Sequence, residues 1–221
     1  MTSSSTRSGS SWTNCGRLPN PYDKIAARFA AARKPWLEQR YLPALIDGLA
    51  PGERVLDLGC GAGRPIADRL LAARMRVVGV DSSFEMLRLA RGNVPGAFLV
   101  LADMTQVELA PATFGAVVAW DSLFHVDRRH HRGMYANFVR WLRPGGRVLF
   151  TSGGSGDEGF TSSMFGEEFF YSGYPPSEVA SYLRAAGLTV LTQELDEPRD
   201  KGHVSFLAEK PARGNEMPNR R

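Results

Sequence analysis

A glycine-rich turn flanked by two aspartates is the segment of this 221-residue sequence best suited to hold a ligand. Gly59, Gly61 and Gly63 follow a short apolar run, and glycine lets a backbone turn sharply and approach a ligand without a Cβ in the way. Asp57 lies two residues before the first of these glycines, and Asp81 lies 22 residues after it, at the end of the next apolar run. A carboxylate at that second position can accept hydrogen bonds from both hydroxyls of a ribose. The spacing therefore predicts a site for a cofactor that contains a nucleoside.

The charge beside this turn distinguishes two classes of cofactor. Nicotinamide cofactors place a pyrophosphate on a helix N-terminus, which favours the pattern G-x-G-x-x-G and no nearby anion. Here the third glycine comes one position early, Arg64 stands where the last glycine would be, and Asp57 would repel a pyrophosphate. The same carboxylate would attract the ammonium and sulfonium charges of S-adenosylmethionine. We therefore expect S-adenosylmethionine as the cofactor, with a nucleotide-dependent oxidoreductase as the less favoured alternative.

Two polar residues after the fourth apolar run are candidates for the catalytic chemistry. Asp121 ends this run, and His125 follows it four residues later. An unperturbed imidazole has a pKa near 6.5, which suits proton transfer at neutral pH, so His125 is a candidate general base. Asp121 is expected either to orient His125 or to face the positive charge of the cofactor. The alternatives are a structural histidine bonded to backbone carbonyls and a structural cap at Asp121.

The elements that must position these residues alternate between short apolar runs and amphipathic helices. Strands are predicted at 55–58, 77–80, 98–101, 117–120, 148–150, 188–191 and 204–208, and helices near 65–74, 83–91, 129–142 and 177–186. This alternation is typical of a doubly wound α/β fold, in which a mostly parallel, Rossmann-like sheet is covered on both faces. The last two of the seven strands are expected to form an antiparallel edge hairpin that turns around 196–201. Ligands of such sheets bind outside the carboxyl ends of the strands, and of the four histidines only His125 is expected there.

Proline, glycine and serine mark several predicted helix boundaries. A helix is expected to begin at Pro21, and Pro43 is expected to divide the next helical stretch because proline removes a backbone hydrogen bond. The segment 82–85 has the pattern of a capping box, in which a serine accepts from the backbone and a glutamate reaches back. The Pro-Gly-Gly segment 144–146 is expected to end the helix before it, and Gly187 to cap another in the left-handed conformation.

Composition and charge exclude several classes of protein. Apolar residues make up 43% of the chain and never form a run of 18, so we expect a globular protein without a membrane segment. The net charge of +4 comes from the two ends, and residues 35–209 carry an excess of acids, which argues against nucleic-acid binding. Two cysteines and four histidines without paired ligand spacing predict no disulfide framework, no metal site and a cytoplasmic location. One domain is expected at 20–210, between disordered tails at 1–19 and 211–221.

Five segments together resemble the successive motifs of class I S-adenosylmethionine-dependent methyltransferases, and the resemblance extends over residues 20–210. The segments are VLDLGCGAG (55–63), VVGVDSSFEML (77–87), LADM (101–104), VVAWDSLFHV (117–126) and LRPGGRVLF (142–150). They are most similar to the small, single-domain members of the family that act on small molecules. The resemblance implies transfer of a methyl group to an oxygen or nitrogen of a small-molecule acceptor. A non-catalytic S-adenosylmethionine-binding module is the alternative, which the intact cofactor positions disfavour.

The same resemblance implies a set of cofactor contacts. These are Asp57, Gly59, Cys60 and Gly61 at the methionine part, Asp81 at the ribose, Met86 on the adenine with Asp103 and Met104 at its edge, and also Ser82 and Trp120. Tyr22, in the segment PYDKIAARF, matches the N-terminal Tyr-Asp segment that closes over the cofactor in this family.

A stretch at 153–176, rich in glycine and aromatic residues, is predicted to form the acceptor pocket. It lies between the fifth strand and the next helix and shows no periodicity. Connections of this length in a compact domain are commonly functional lids. Its phenylalanines and tyrosines favour a largely apolar pocket, and the alternative is that they cap the edge of the sheet.

Overall fold

The computed structural model describes residues 20–33, 38–154, 156–195 and 202–212. In chain order the helices and strands are α1 (Pro21–Ala32), α2 (Glu38–Ile46), β1 (Arg54–Leu58), α3 (Ile66–Ala72), β2 (Arg76–Asp81), α4 (Phe84–Asn93), β3 (Phe98–Leu101), β4 (Phe114–Ala119), α5 (His131–Trp141), β5 (Leu142–Gly153), β6 (Phe160–Met164), β7 (Glu167–Tyr171), α6 (Pro176–Ala185), β8 (Thr189–Leu195) and β9 (His203–Glu209). The predicted tail at 1–19 and the predicted turn at 196–201 lie outside the described residues. No helix in the described ranges is long and apolar enough to cross a membrane.

Seven strands form one sheet in the order β3-β2-β1-β4-β5-β9-β8. β1 pairs in parallel with β2 and β4, whereas β9 pairs antiparallel with β5 and β8. The predicted doubly wound, mostly parallel sheet with an antiparallel edge is confirmed. Because the chain passes from β3 back to β4 on the other side of β1, the strand order reverses between β1 and β4. The loops after these two strands diverge there and leave a crevice at the carboxyl ends.

Both faces of the sheet are covered, which explains why its central strands are apolar throughout. Every residue of β4 is buried. On one face Phe138 and Trp141 of α5 pack with Phe150 of β5, and on the other Leu45 of α2 and Leu70 of α3 belong to a second cluster. Full burial of such a side chain stabilises the fold by about 1.5–3 kcal/mol. A shift of one strand by one residue would move each of its side chains to the opposite face of the sheet, so this packing also fixes the register. The core therefore fixes the strand ends that carry the site.

The cap of α4 lies one residue later than the predicted capping box. Ser83, not Ser82, is the N-cap, because its backbone is still extended and its Oγ accepts from the Met86 N–H at 3.1 Å. The Glu85 carboxylate does not reach back as predicted but pairs with Arg88 at 2.7 Å.

Other helix boundaries are partly as predicted. α1 begins at Pro21, and Gly187 follows α6 with a φ of +98°. Pro43 lies inside α2 rather than dividing it, and packing of an apolar helix face can outweigh one lost hydrogen bond. α5 ends at Trp141, three residues before Pro144, and the 144–146 segment lies within β5.

The 153–176 segment contains a hairpin that its sequence did not predict. β6 and β7 pair antiparallel, with Phe160 opposite Tyr171, and form a separate two-stranded sheet. Phe165 and Gly166 make the turn with φ values of +54° and +84°. Positive values at both positions are what a two-residue type I′ turn requires. The expectation of an aperiodic connection was therefore wrong in part, and an acceptor lid here stays a prediction.

Candidate active site

All thirteen residues predicted to bind the cofactor or to act in catalysis line one cavity of about 1180 Å³, at the carboxyl ends of β1, β2 and β4. They are Tyr22, Asp57, Gly59, Cys60, Gly61, Asp81, Ser82, Met86, Asp103, Met104, Trp120, Asp121 and His125. Residues of α1 form one wall, and Phe169 and Phe170 of β7 contribute to another. The fold therefore brings these residues together.

The glycine turn after β1 has a backbone that only glycine adopts without strain. Gly59 and Gly61 have φ values of +72° and +52°. A Cβ at Gly59 would overlap the side chain of Ser122, whose Oγ donates to the Leu58 carbonyl at 2.8 Å. A Cβ at Gly61 would meet nothing within 4 Å, because it would project into open space. Cys60 between them is buried, and burial raises the pKa of its thiol.

Asp57 is the most deeply buried acid of the cavity. Its side chain is 2% exposed, and its Oδ2 has no hydrogen-bond partner within the described part of the chain. Burial, reinforced by the negative charge of Asp81, raises the pKa of Asp57 to about 7. An unpaired carboxylate oxygen in an apolar wall is costly unless a cation or a donor contacts it. The site thus contains an incomplete charge pair that a positively charged ligand would complete.

Asp81 ends β2 and receives backbone hydrogen bonds from two directions. Its Oδ2 accepts from the Gly61 N–H at 2.8 Å, and its Oδ1 accepts from the Ser83 N–H at 2.7 Å. These bonds fix the carboxylate against the glycine turn. Ser82 lies at the rim, where its Oγ accepts from the Asn20 amide at 2.9 Å.

Met86, Trp120 and the loop after β3 contribute apolar side chains to the cavity lining. Met86 is 1% exposed and Trp120 is 5% exposed. Asp103 faces its own loop, because its Oδ1 accepts from the N–H and the hydroxyl of Thr105, both at 2.8 Å. Met104, next along the chain, lies close to Gly59. These apolar lining residues are suited to contact a flat, largely apolar group.

Tyr22 and His125 form a hydrogen-bonded pair across the cavity. The Tyr22 hydroxyl lies 2.9 Å from His125 Nε2, and His125 Nδ1 lies 2.9 Å from the main-chain oxygen of Phe170. A carbonyl oxygen only accepts, so Nδ1 carries the proton and the lone pair of neutral His125 is on Nε2. Burial lowers the pKa of His125 and raises the pKa of Tyr22, so the neutral pair is favoured at pH 7. The Tyr22 hydroxyl is therefore the donor to Nε2.

Asp121 contacts Arg33 and His203 rather than His125. Its Oδ2 accepts from Arg33 Nη1 at 2.8 Å, and its Oδ1 lies 3.7 Å from His203 Nδ1. Burial opposes ionisation, but the hydrogen bonds and charges of His203 and Arg33 outweigh it and lower the pKa of Asp121. His203 also corrects the expectation that His125 would be the one histidine at this edge, because antiparallel β9 begins there.

α1 is held over the cavity from both sides. The Asp23 carboxylate accepts from the Ser83 hydroxyl at 2.6 Å and from the Glu85 N–H at 3.1 Å, at the start of α4. On the opposite side Lys24 pairs with Glu167 of the hairpin at 2.7 Å. The ring of Tyr22 packs edge-on against Phe169 at 4.7 Å. The first helix and the hairpin thus enclose the Tyr22–His125 pair together.

Comparison with known proteins places the chain in a family. A sequence profile described as "Methyltransferase domain" matches residues 55–146. A methyltransferase structure from Methanosarcina mazei, titled S-adenosylmethionine-dependent, superposes with a TM-score of 0.67 at 19% identity, over 77% of this chain and 98% of that one. Phosphoethanolamine N-methyltransferase 1 of Triticum aestivum is 30% identical over 73% of this chain, which spans only 36% of that protein's length. Ubiquinone biosynthesis O-methyltransferase of Paracidovorax citrulli is 30% identical over 66% of this chain and 68% of its own length.

The chain belongs to the class I S-adenosylmethionine-dependent methyltransferases. The cofactor of this family fits the cavity on two structural grounds. The unpaired oxygen of buried Asp57 calls for a cation, which the ammonium and sulfonium groups would supply. The open space above Gly61 leaves room for a ligand to lie against the turn. The residues of this methyltransferase domain are thus compatible with S-adenosylmethionine.

Several residues of the methyltransferase site carried no usable signal in the sequence. Arg33 looks like an ordinary cation at a helix end, and His203 like the first residue of a strand. Asn20 could have been found, because an Asn-Pro pair before an amphipathic stretch is a helix N-cap signal, and its side chain does accept from the Tyr22 N–H at 2.9 Å. Phe169 and Phe170 belong to the aromatic residues of the predicted acceptor segment, and both line the cavity.

Proposed function

We propose that this chain transfers a methyl group from S-adenosylmethionine to a nitrogen or oxygen of a small molecule. The observation that carries the proposal is the buried, unpaired Asp57 carboxylate, in the same cavity as Asp81 and the Tyr22–His125 pair. The bound cofactor supplies a methyl carbon already activated by a positively charged sulfur. The protein's contribution is then mainly orientation at near-attack distance, which is worth up to about 7–11 kcal/mol.

In this proposal the two aspartates hold opposite ends of the cofactor. The Asp57 oxygen would hold its positive charge, the Asp81 carboxylate would accept from the ribose hydroxyls, and Met86 would hold the adenine. Replacing Asp81 with alanine should weaken cofactor binding by about 1–3 kcal/mol, since a charge-assisted pair of hydrogen bonds is lost. Calorimetric titration measures this directly, and an unchanged affinity would remove Asp81 from the ribose site.

The Tyr22–His125 pair takes the proton that the acceptor loses. Tyr22 Oη would accept the proton that the acceptor loses on methylation and pass its own proton to His125 Nε2. The 2.9 Å bond between these atoms supports this route, and the lowered pKa of His125 keeps its Nε2 unprotonated at neutral pH. A positioned general base of this kind contributes about 10²–10⁴-fold to the rate. The rings of Phe169 and Phe29 pack edge-on against the ring of Tyr22.

The proposed acceptor is a small metabolite and not a nucleic acid or a membrane lipid surface. Five aspartates but only two arginines are among the described residues that line the cavity, which disfavours a polyanion. The names of relatives point to amine and oxygen acceptors: one is called a phosphoethanolamine N-methyltransferase and another a ubiquinone biosynthesis O-methyltransferase. We also propose a reducing, cytoplasmic environment, which the free thiol of buried Cys60 supports.

Two measurements test the proposal. Thermal unfolding with S-adenosylmethionine, S-adenosylhomocysteine, NAD and NADP should show stabilisation by the first two only, by about 2.7 kcal/mol at 100 times the dissociation constant. Stabilisation by a nicotinamide cofactor alone would overturn the proposed role of Asp57. Formation of S-adenosylhomocysteine should then be followed with phosphoethanolamine, simple amines and phenols as acceptors. Cofactor binding without turnover across a broad acceptor panel would favour a non-catalytic binding module.

A further inference from the structure

We infer that the β6–β7 hairpin is a positioning element, which fixes the proton of His125 on Nδ1 and thereby keeps Nε2 free for catalysis. The catalytic consequence rests on the proposed function, whereas the position of the His125 ring proton can be measured without it. The only hydrogen-bond partner of His125 Nδ1 among the described residues is the Phe170 main-chain oxygen, at 2.9 Å. In the Ser-His-Asp triad a buried carboxylate orients the histidine base, whereas here Asp121 contacts Arg33 and His203. The orienting group therefore belongs to an element outside the main sheet.

Within the described ranges, the hairpin has no strand pairing with the body of the domain. It forms its own two-stranded sheet. Near His125 it is held by packing and by one main-chain hydrogen bond. Phe169 is 3% exposed and packs against Tyr22 and His125, and Tyr171 stacks on Phe124 at 5.9 Å. Directly after β7, the Ser172 N–H donates to the Phe124 oxygen at 2.8 Å. The Phe170 oxygen can therefore leave Nδ1 without breaking the core of the fold. When it does, an unconstrained imidazole also populates the form with its proton on Nε2, in which the catalytic lone pair is lost.

The hairpin also couples His125 to the helix that covers the cavity. Glu167 pairs with Lys24, and the guanidinium of Arg28 lies 5.8 Å from the ring centre of Phe165. Undocking of α1 and release of the Phe170 oxygen from His125 therefore favour each other. His125 therefore has its proton on Nδ1, as the proposed base requires, when both α1 and the hairpin are docked over the cavity.

Two perturbations change the hairpin without changing a residue of the catalytic pair. Phe160 and Tyr171 face each other as a strand pair, and such residues have Cα atoms about 4.5–5.5 Å apart, so a Gly-Gly link can replace residues 160–171. A milder change acts on Gly166 at the tip of the turn, where φ is +84° and a Cβ would meet nothing within 4 Å. Gly166→Val strains the backbone, and Gly166→Asn is the matched control, because asparagine tolerates positive φ.

The experiment is a two-bond proton–nitrogen correlation NMR spectrum of the histidine rings in the full chain, at about pH 8. It separates Nδ1–H from Nε2–H imidazoles, and a His125→Gln sample assigns the signal. We expect only the Nδ1–H form in the unaltered protein and in Gly166→Asn, a detectable Nε2–H fraction in Gly166→Val, and at least half Nε2–H after removal of the hairpin. Stabilisation by S-adenosylmethionine confirms that each variant is folded. If the chain without the hairpin does not fold, the comparison of Gly166→Val with Gly166→Asn tests the inference.

Two outcomes overturn the inference: an Nε2–H form in the unaltered protein, or a pure Nδ1–H form once the hairpin is removed or strained. With an acceptor that is methylated, kcat of Gly166→Val should fall in proportion to the loss of its Nδ1–H form. Its dissociation constant for the cofactor should stay within about twofold of that of the unaltered protein. Failure of the proposed function has a different signature. In that case the unaltered protein shows the Nδ1–H form and methylates nothing.

Discussion

Cofactor affinity should depend on pH through Asp57. Burial beside Asp81 raises the pKa of Asp57 to about 7, so in the free protein this carboxyl is largely protonated below neutrality. A cation held against the carboxylate requires its ionised form, and binding below pH 7 must therefore release a proton. Each pH unit then corresponds to about 1.4 kcal/mol, or tenfold in affinity. Between pH 7.5 and 5.5 the dissociation constant of S-adenosylmethionine is expected to rise roughly 20- to 30-fold.

Isothermal titration calorimetry in two buffers of different ionisation enthalpy measures both the affinity and the protons released. We expect close to one proton released at pH 6 and almost none at pH 8. Asp57→Asn should bind more weakly at pH 7.5 and lose the dependence on pH, because the amide does not ionise. His125→Gln is the control for the imidazole in the same cavity, and this variant should keep the dependence on pH. The reasoning is refuted if Asp57→Asn retains the slope of the unaltered protein.

Three further substitutions test the geometry of the site. Gly59→Ala should destabilise the fold by about 2–4 kcal/mol in urea unfolding, because the new Cβ overlaps Ser122 and φ is +72°; a loss below about 0.5 kcal/mol would contradict the crowding. Arg33→Met should cost about 1–3 kcal/mol by leaving Asp121 without its cation, and adding Asp121→Asn should recover most of it. If the double variant is no more stable than Arg33→Met alone, the destabilisation comes from lost packing of the arginine side chain and not from an unpaired charge on Asp121. His125→Ala should lower kcat by about 10²–10⁴-fold with cofactor affinity unchanged, and near-normal turnover would make this histidine structural.

The sequence predicted the strands and the acids at their ends because both depend on short stretches of chain. Runs of apolar residues mark strands that are buried on both faces, and β1, β2 and β4 lie where those runs were found. Parallel strands end at one edge of a sheet, so Asp57, Asp81 and Asp121 had to meet there once the fold was known. The position of the cavity followed from topology rather than from any single residue.

The partners of the catalytic residues were not predictable in the same way. Arg33 and Asp121 are 88 residues apart, and His125 meets Phe170 across 45 residues. The local sequence around these residues does not predict the contacts, because they depend on how α1 and the β6–β7 hairpin dock on the domain. The hairpin itself was missed because its strands are short and largely exposed, and its Phe165-Gly166 turn is not one of the usual Asn-Gly or Asp-Gly pairs.

The excess of aspartates around the cavity also governs how fast ligands arrive and leave. Over the part of the chain that the structure describes, five aspartates and two arginines line the cavity, so its mouth attracts cations before contact. This attraction reaches over a Debye length of about 8 Å at physiological salt. The proposed reaction turns a sulfonium into an uncharged thioether, which the same field holds less strongly. The acidic wall thus hastens the approach of the charged reactant and the departure of the spent one, and added salt weakens this difference.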